Sequence, residues 1–429
     1  MSESETFVNF MGGSPLNRLS WLRSSPPFLN NIVVSPATRW VVFRSGQPLV
    51  TRSNGVTKMA ALTTPDVRPY LGPEPFFGQG EKEGEAAAEG VPSLEAARFR
   101  GAPVVFLGLD ESNVTSSSAL PSSEFSKGDP EAAARKVQGT PYFSLDVSHL
   151  DQKDADSLLE KSKTDGGRAF YSEPRGAIRG MSMLDASLFA LGRSMVDWNA
   201  RNKFCAGCGS PVYSMWAGWK LSCSTLRPWA DNTGKEPCTT AKGIHNFSHP
   251  RTDPVVIMLV VNESGDKILL GHNKNFPPTF YSALAGFIEP GESFEDAVKR
   301  ELWEEAGIKV WGVKYHSGQP WPYPSTLMVG YYALSDPSKP IRTDLDNELE
   351  DARWFTREEI ISVLEHPEGT NFTGREFVDA PNTEAAEKAR RGAPPFRVPP
   401  PTAIAGVLIH NWAYGKNPES VSAPLNGRL

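Results

Sequence analysis

The stretch that most constrains this chain runs from residue 286 to residue 308 and reads GFIEPGESFEDAVKRELWEEAGI. It holds seven acidic side chains and three glycines. Pro290 and Gly291 predict a turn. A helix is expected to follow at once, because Ser293 can cap its first turn and Gly307 lies where a left-handed stop residue belongs. The stretch therefore predicts a tight loop that leads into an acidic helix.

The predicted helix has two distinct faces. Apolar residues recur every four positions and are expected to face the core: Phe294, Val298 and Leu302. Carboxylates are expected together on one face of the last two turns: Glu301, Glu304 and Glu305. Because close like charges repel, a fold keeps such a cluster when cations bind it, and oxygen ligands select hard ions such as Mg2+ or Mn2+. A solvated acidic face is the alternative that these three residues alone leave open.

The complete stretch resembles the Nudix box, G-x5-E-x7-R-E-U-x-E-E-x-G-U, in which U is an apolar residue. Every fixed position matches, from Gly286 to Ile308. The chain is therefore similar to Nudix hydrolases, which cleave nucleoside diphosphates linked to another moiety. The resemblance implies an α-β-α sandwich and a set of structural box residues: Gly286, Glu292, Arg300 and Gly307. We expect Arg300 to fix the box loop through an ion pair with Glu292.

The same resemblance implies a catalytic metal site. Its ligands for Mg2+ or Mn2+ are the carbonyl of Ala285 and three carboxylates, Glu301, Glu305 and Glu348. The catalytic residues are then Glu301, Glu304 and Glu305. Glu304 or a neighbouring carboxylate would orient or deprotonate the attacking water, and the sequence leaves open which one does so.

The four cysteines of the chain predict a second, structural metal site. Cys205-x2-Cys208 has the spacing at which two thiolates reach one tetrahedral Zn2+ ion, and Cys223 follows. A usual zinc ribbon has its fourth cysteine at position 226, but here it is Cys238, so residues 224–237 read as an insertion. His245 as the fourth ligand, or four thiols without metal, are the alternatives. A closed four-ligand site has no open position for catalysis.

A proline-rich array after the box, residues 319–326, predicts a substrate-binding arm. Alternating prolines hold Trp321 and Tyr323 in a rigid segment that can clamp a flat ligand. The array resembles S-Q-P-W-P-F-P-x-S of the NADH pyrophosphatase branch of the Nudix family, with Gly318, Tyr323 and Thr326 as departures. The resemblance implies the following substrate-binding residues: Gln319, Pro320, Trp321, Pro322, Tyr323, Pro324, Ser325, Thr326 and Ala405.

The expected fold is an α+β chain in which a Nudix sandwich follows a zinc ribbon and an N-terminal α+β domain. Residues 1–180 contain β-like runs such as RWVVF at 39–43 and form the N-terminal NADH pyrophosphatase-like domain. Residues 181–248 hold a linker helix and the zinc ribbon. Residues 249–429 form the Nudix domain. The helix has an apolar stripe that is expected to face the core: Met183, Leu184, Leu188, Leu191, Met195 and Trp198.

The net charge, the apolar runs and the C-terminal tripeptide limit the partners and the cellular location expected for this chain. The formal net charge of -6 gives no general attraction to nucleic acid, and the sequence shows no local basic patch. No apolar run is long enough to span a bilayer, so no membrane partner is expected. The C-terminal Gly427-Arg428-Leu429 resembles a peroxisomal address, which points to the fungal peroxisomal type of the branch, with cytoplasm as the alternative. The branch also implies a homodimer.

The first functional hypothesis from the sequence is hydrolysis of the pyrophosphate of NADH, and more weakly of NAD+, to AMP and NMNH or NMN. Removal of an NAD cap from RNA uses the same bond and is the alternative enzyme hypothesis. A nucleotide sensor that binds without cleaving is the alternative of a different class. The complete set of box carboxylates speaks against the sensor, because a binder has no need of a repulsive cluster.

Overall fold

The structure is a computed structural model that describes residues 8–79, 96–114, 129–163, 167–226, 233–234, 236, 238, 240, 249–346, 348–370 and 393–415. The C-terminal tripeptide, residues 427–429, and the alternative zinc ligand His245 lie outside these ranges. The chain forms two compact units. The N-terminal unit comprises Gly13–Arg251 and Pro322–Ser325, and the C-terminal unit comprises Met1–Gly12, Thr252–Trp321 and Thr326–Leu429.

The N-terminal unit is α+β. Its strands are β1 (Leu16–Asn17), β2 (Arg39–Arg44), β3 (Gln47–Ser53), β4 (Val56–Met59), β5 (Val104–Asp110), β6 (Thr140–Asp146), β7 (Arg168–Tyr171), β8 (Val212–Met215) and β9 (Lys220–Cys223). Its helices are α1 (Pro26–Val33), α2 (Thr64–Val67), α3 (Pro130–Arg135), α4 (Gln152–Lys161), α5 (Pro174–Ala177) and α6 (Met183–Arg201). The main sheet has the order β1-β5-β6-β2-β3-β4, β7 pairs with β3, and β8 and β9 form a separate hairpin.

Helix α6 belongs to this unit, whereas the sequence had placed it in a separate segment, 181–248. Ser182 caps it by accepting a hydrogen bond from the Asp185 backbone N–H. Gly192 lets the helix approach β2, because a Cβ at this position would lie 2.8 Å from the Phe43 ring. Of the predicted apolar stripe, Leu188, Met195 and Trp198 are buried, Leu184 and Leu191 are half-buried, and Met183 is exposed.

The C-terminal unit is a helix–sheet–helix sandwich. Its strands are β10 (Asp253–Asn262), β11 (Lys267–Asn273), β12 (Leu284–Phe287), β13 (Val310–Trp321), β14 (Thr326–Ser335) and β15 (Leu349–Thr356). Its helices are α7 (Phe294–Ala306), α8 (Arg357–Leu364) and α9 (Ile404–Ala413). The sheet has the order β13-β14-β10-β11-β15, and β12 pairs with β10. The predicted α-β-α arrangement is thus present.

Strand β10 is buried on both faces of this sheet. Val256, Met258 and Val260 pack with the apolar side of α7, and the residues between them pack on the side of α9. A strand buried on both faces reads as a continuous apolar run, which is how residues 255–261 appear in the sequence. Within the residues that the structure describes, helices long and apolar enough to cross a bilayer do not occur.

Candidate functional site

The acidic helix α7 begins and ends where its local signals predict. Ser293 and Asp296 form a reciprocal capping box at its start, and Gly307 ends it with a φ of 65°. Val298 and Leu302 are fully buried against the sheet. Phe294 was expected to join them but is 40% exposed. It lies in the first turn, where its ring contacts Tyr331 with 6.3 Å between centroids.

Arg300 is the organising cation of the loop before this helix. Its Nε and Nη2 donate to the two oxygens of Glu292 at 2.6 and 2.9 Å, and Nη2 also donates to the Phe287 carbonyl at 2.8 Å. Nη1 donates to Glu301 at 2.8 Å and to Glu304 at 2.9 Å. The pKa of Glu292 is lowered to about 2, chiefly by its bond to Arg300. Arg300 therefore fixes the loop and two of the carboxylates.

Glu305 is a buried carboxylate without a matching cation. Its side chain is 3% exposed, and its Oε1 has no hydrogen-bond partner in the described part of the chain. Burial, followed by the charges of Glu348, Glu301 and Asp346, raises its pKa to about 9. Burial is also the first cause that raises the pKa of Glu301. An unpaired buried acceptor among carboxylates matches the ligand chemistry of a hard divalent cation.

Backbone geometry brings the start of the box to this cluster. In β12, Ala285 pairs with Ile257 of β10, and its backbone hydrogen-bonds with Glu305. At Gly286 a Cβ would lie 1.9 Å from the carboxyl carbon of Glu301. Glycine is therefore required at position 286, because any side chain would displace the Glu301 carboxylate.

Glu348 joins the cluster through residues that the sequence did not single out. Asn273 donates its Nδ2–H to Glu348 Oε1 at 3.0 Å, and its Oδ1 accepts the Asn275 N–H at 2.9 Å, which fixes the amide orientation. The Glu348 N–H donates to Asp346 at 3.0 Å. The β11–β15 pairing places Asn273 opposite Leu349. No local motif marks Asn273, because its partner lies just before β15, seventy-five positions later in the chain.

The segment predicted as a substrate-binding arm, residues 319–326, consists of two strand ends and the turn between them. Residues 319–321 end β13, Trp321 pairs with Thr326 of β14, and the intervening residues form a hairpin turn. Gln319 is 0% exposed: its Oε1 accepts the Ile404 N–H, and its Nε2 donates to the carbonyls of Thr402 and Phe10. The Gln319 amide therefore holds the segment that leads into α9, and its predicted substrate-binding role stays a prediction.

Two other predicted substrate contacts are also internal. Ala405 lies in the first turn of α9 and is buried in the core, and Thr326 is buried where β14 begins. Ser325 donates its hydroxyl to the Arg251 carbonyl at 3.0 Å. The half-buried Trp321 and Pro320 lie at the end of β13. Of the predicted set, Trp321 keeps both a ring and a half-buried position suited to ligand contact.

Tyr323 makes its contacts within the N-terminal unit. The guanidinium of Arg175 lies 4.6 Å and that of Arg193 5.4 Å from the ring centroid. The hydroxyl donates to the Pro174 carbonyl at 3.3 Å, and burial raises its pKa to about 12. Arg193 also donates to the Pro322 carbonyl, and Ser194 donates to that of Pro324. Arginine side chains therefore take the place against this ring that the sequence had assigned to a ligand.

The four cysteines come together as one group. The Sγ atoms of Cys205, Cys208, Cys223 and Cys238 all lie within 4.8 Å of one another. Two threonines, which the sequence did not single out, add hydroxyls: Thr225 contacts Cys208 and Cys223, and Thr240 contacts Cys205 and Cys238. The repeated Cys-x-Thr spacing at 223–225 and 238–240 is the sequence feature that could have revealed them. The group has the donors and the closeness that bind a metal ion.

Comparison with known proteins agrees with both units. The NUDIX domain family matches residues 251–379, and the NADH pyrophosphatase-like rudimentary NUDIX domain matches residues 37–198. A Schizosaccharomyces pombe protein named NAD-capped RNA hydrolase is 32% identical over 94% of this chain and 93% of its own length. The chain belongs to the Nudix hydrolase family, and this confirms the resemblance seen in its box.

Two further relatives carry similar names. NAD-capped RNA hydrolase NPY1 of Saccharomyces cerevisiae is 32% identical over 84% of this chain and 88% of its own length. The human protein named NAD-capped RNA hydrolase NUDT12 is 42% identical over 57% of this chain, and the chain spans 45% of that protein. Both yeast relatives are thus similar across both units.

Proposed function

We propose that this protein hydrolyses the pyrophosphate bond of NAD carried at the 5′ end of RNA, releasing NMN and leaving RNA with a 5′ monophosphate. The observation that carries the proposal is the similarity across both units to yeast proteins named NAD-capped RNA hydrolase. These names favour cap removal over the first hypothesis from the sequence, hydrolysis of NADH. Free NADH remains the second candidate, because it contains the same bond.

The carboxylate cluster supports a hydrolase. Glu301, Glu305 and Glu348, with the backbone oxygen of Ala285, would hold Mg2+ or Mn2+. A bound divalent cation neutralises phosphate charge and lowers the pKa of water. Glu304, held by Arg300 at 2.9 Å, is a carboxylate that can orient the attacking water or take its proton. A sensor without catalysis would gain nothing from keeping Glu305 buried and unpaired.

The cysteine group would hold Zn2+ in a structural role. Four thiolates fill the tetrahedral shell of Zn2+, and the two threonine hydroxyls can donate to them. Such a closed site supplies rigidity to the β8–β9 hairpin, which carries Cys223. Catalysis is assigned to the carboxylate cluster alone.

The test is a product analysis with Mg2+ or Mn2+, in which NAD-capped RNA, NADH, NAD+ and ADP-ribose are offered side by side. We expect the highest kcat/KM for capped RNA, with NMN and 5′-monophosphate RNA as products. A higher kcat/KM for NADH than for capped RNA would favour the first hypothesis, hydrolysis of NADH. Binding of all four ligands without any cleavage would instead identify a sensor.

A further inference from the structure

A short segment of the N-terminal unit presents two arginines and a tryptophan together. Leu19 and Leu22 are buried and anchor residues 18–23, while Arg18 and Arg23 are half-buried and Trp21 is 43% exposed. The segment follows the edge strand β1 and turns through a left-handed residue, Leu19, with a φ of 41°. Two buried leucines therefore anchor a segment in which the arginines are partly exposed and Trp21 is exposed.

Arg23 lies flat on an indole ring that is itself fixed. Its guanidinium carbon is 3.7 Å from the ring centroid of Trp219, and the Trp219 Nε1–H donates to the Phe106 carbonyl at 2.7 Å. The Nε of Arg23 is buried and has no hydrogen-bond partner among the described residues. The guanidinium is thus held in place by stacking, while its Nε–H lacks a hydrogen-bond partner.

Arg18 adds a second positive charge to this segment. Its Nη1 donates to the Leu107 carbonyl at 3.1 Å, and neither arginine forms an ion pair with a described carboxylate. The neighbouring Glu111 instead accepts a hydrogen bond from Asn17 at 3.0 Å. Burial lowers the pKa of both arginines, and the charge of Arg18 lowers that of Arg23 further, to about 10. Two half-buried like charges are costly unless an anion joins them.

We infer that Arg18, Trp21 and Arg23 form a binding site for single-stranded RNA, here called the arginine site, with the guanidiniums taking backbone phosphates and Trp21 stacking on a base. Guanidinium groups bind phosphate oxygens through paired hydrogen bonds, and exposed aromatic rings stack on bases of any sequence. The inference rests on the proposed function, since it assigns a site to the RNA that follows the cap. A chain with a net charge of -6 needs such a local site to hold RNA.

The test separates capped RNA from the free dinucleotide. The double variant Arg18→Ala/Arg23→Ala is compared with wild type on NADH and on NAD-capped RNA of about 20 nucleotides, longer than a typical single-strand site. We expect KM for capped RNA to rise about tenfold with kcat unchanged, because two phosphate contacts are lost. The kcat/KM for NADH is expected to stay the same. The matched control, Arg68→Ala/Arg201→Ala, removes two exposed arginines of the same unit that are paired with Glu74 and Asp197.

Salt dependence gives a readout that a folding defect does not imitate. Each lost phosphate contact reduces the slope of log(kcat/KM) against log salt by about 0.7 for single strands, so the double variant should lose about 1.4. Arg18→Ala alone, which removes one carbonyl contact, should lose about half of this and keep the wild-type thermal unfolding. An equal loss on NADH and capped RNA, or an unchanged slope, would overturn the arginine site.

The two proposals fail in different ways. If wild type cleaves NADH but not capped RNA, the proposed function is wrong, and binding of uncapped 5′-monophosphate RNA, measured by fluorescence anisotropy, then tests the arginine site directly. Weaker binding by the double variant, but not by the control, would support the site. Equal binding by both would overturn it.

Discussion

At the scale of single residues, the bonded partners of Arg300 and of Gln319 lie at very different separations along the chain. Glu292 and Arg300 are eight positions apart, and the structure pairs them through two bonds. Gln319 was assigned to substrate, but its amide holds Thr402 and Ile404, more than eighty residues later. A motif shows which residue types stand together, but not that one of them is buried by a distant helix.

Glu305 leads to a prediction about both pH and metal. Its pKa, about 9 when folded against a usual value of 4.5, means that the folded protein without metal binds this proton more tightly than the unfolded chain does. Stability of the metal-free protein should therefore decrease as pH rises from 4.5 toward 9. We expect chelator to lower the Tm of wild type more at pH 8 than at pH 5, and Glu305→Gln to remove most of this difference.

The same variant should lose about two to three orders of magnitude in kcat, the range for one preorganised electrostatic contact. Thermal unfolding at the two pH values, with and without Mg2+, measures the first effect, and product formation measures the second. Glu358→Gln is the control, because it removes an exposed carboxylate of the same unit. Near-normal turnover by Glu305→Gln would contradict the metal assignment.

At the scale of elements, helix α7 was predictable because its start and end depend on neighbouring residues. Ser293 and Asp296 cap its first turn, and Gly307 ends it. The apolar repeat predicted burial wrongly only at Phe294. A repeat of four shows which face of the helix a residue lies on, but it does not show how far the sheet beneath that face extends. The extended arm predicted at residues 319–326 became a hairpin for a related reason. Pairing of Trp321 with Thr326 is a contact between strands that proline content does not encode.

Gly307 should be more sensitive to substitution than a glycine with positive φ whose surroundings are open. Substitution by alanine imposes a left-handed conformation that costs about 1–2 kcal/mol. It also places a Cβ 2.7 Å from the Cβ of Arg342. Gly265→Ala is the matched control, with a φ of +76° but no atom within 4 Å of the added Cβ. Chemical denaturation should show a larger loss for Gly307→Ala, and equal losses would mean that the contact with Arg342 is unimportant.

Thr225 is expected to stabilise the metal-bound form of the cysteine group. Thr225→Val keeps the shape but removes the hydroxyl that contacts Cys208 and Cys223. Loss of a hydrogen bond to a ligand typically weakens metal binding by about 10–100-fold. We expect faster metal release to a chromogenic chelator, with Thr51→Val on β3 as the control for the substitution itself. Equal release rates in the two variants would show that the hydroxyl has no such role.

At the scale of the whole molecule, the least predictable features join segments that are distant in sequence. The sequence divided the chain into consecutive domains, whereas both units include a short segment from elsewhere: residues up to Gly12 in one and Pro322–Ser325 in the other. The arginine site has the same character. Arg23 and Trp219 are almost two hundred positions apart, so no run of basic residues announces the site. Short-range patterns are readable from sequence, but such long-range contacts require the fold.

The segment up to Gly12, which belongs to the C-terminal unit, allows a test of such a long-range contact. Asn9 is 2% exposed and donates to the Ser317 hydroxyl at 2.9 Å and to the Gly318 carbonyl at 2.8 Å. Asn9→Ala should lower the free energy of unfolding by about 1–3 kcal/mol, because one buried and one partly buried hydrogen bond are lost. Asn31→Ala is the control: Asn31 makes an exposed hydrogen bond to Pro27 within α1. If both variants unfold like wild type in chemical denaturation, the segment does not stabilise the unit. A loss of stability in Asn9→Ala alone would show that residues before β1 stabilise strand β13, which lies more than three hundred positions later in the chain.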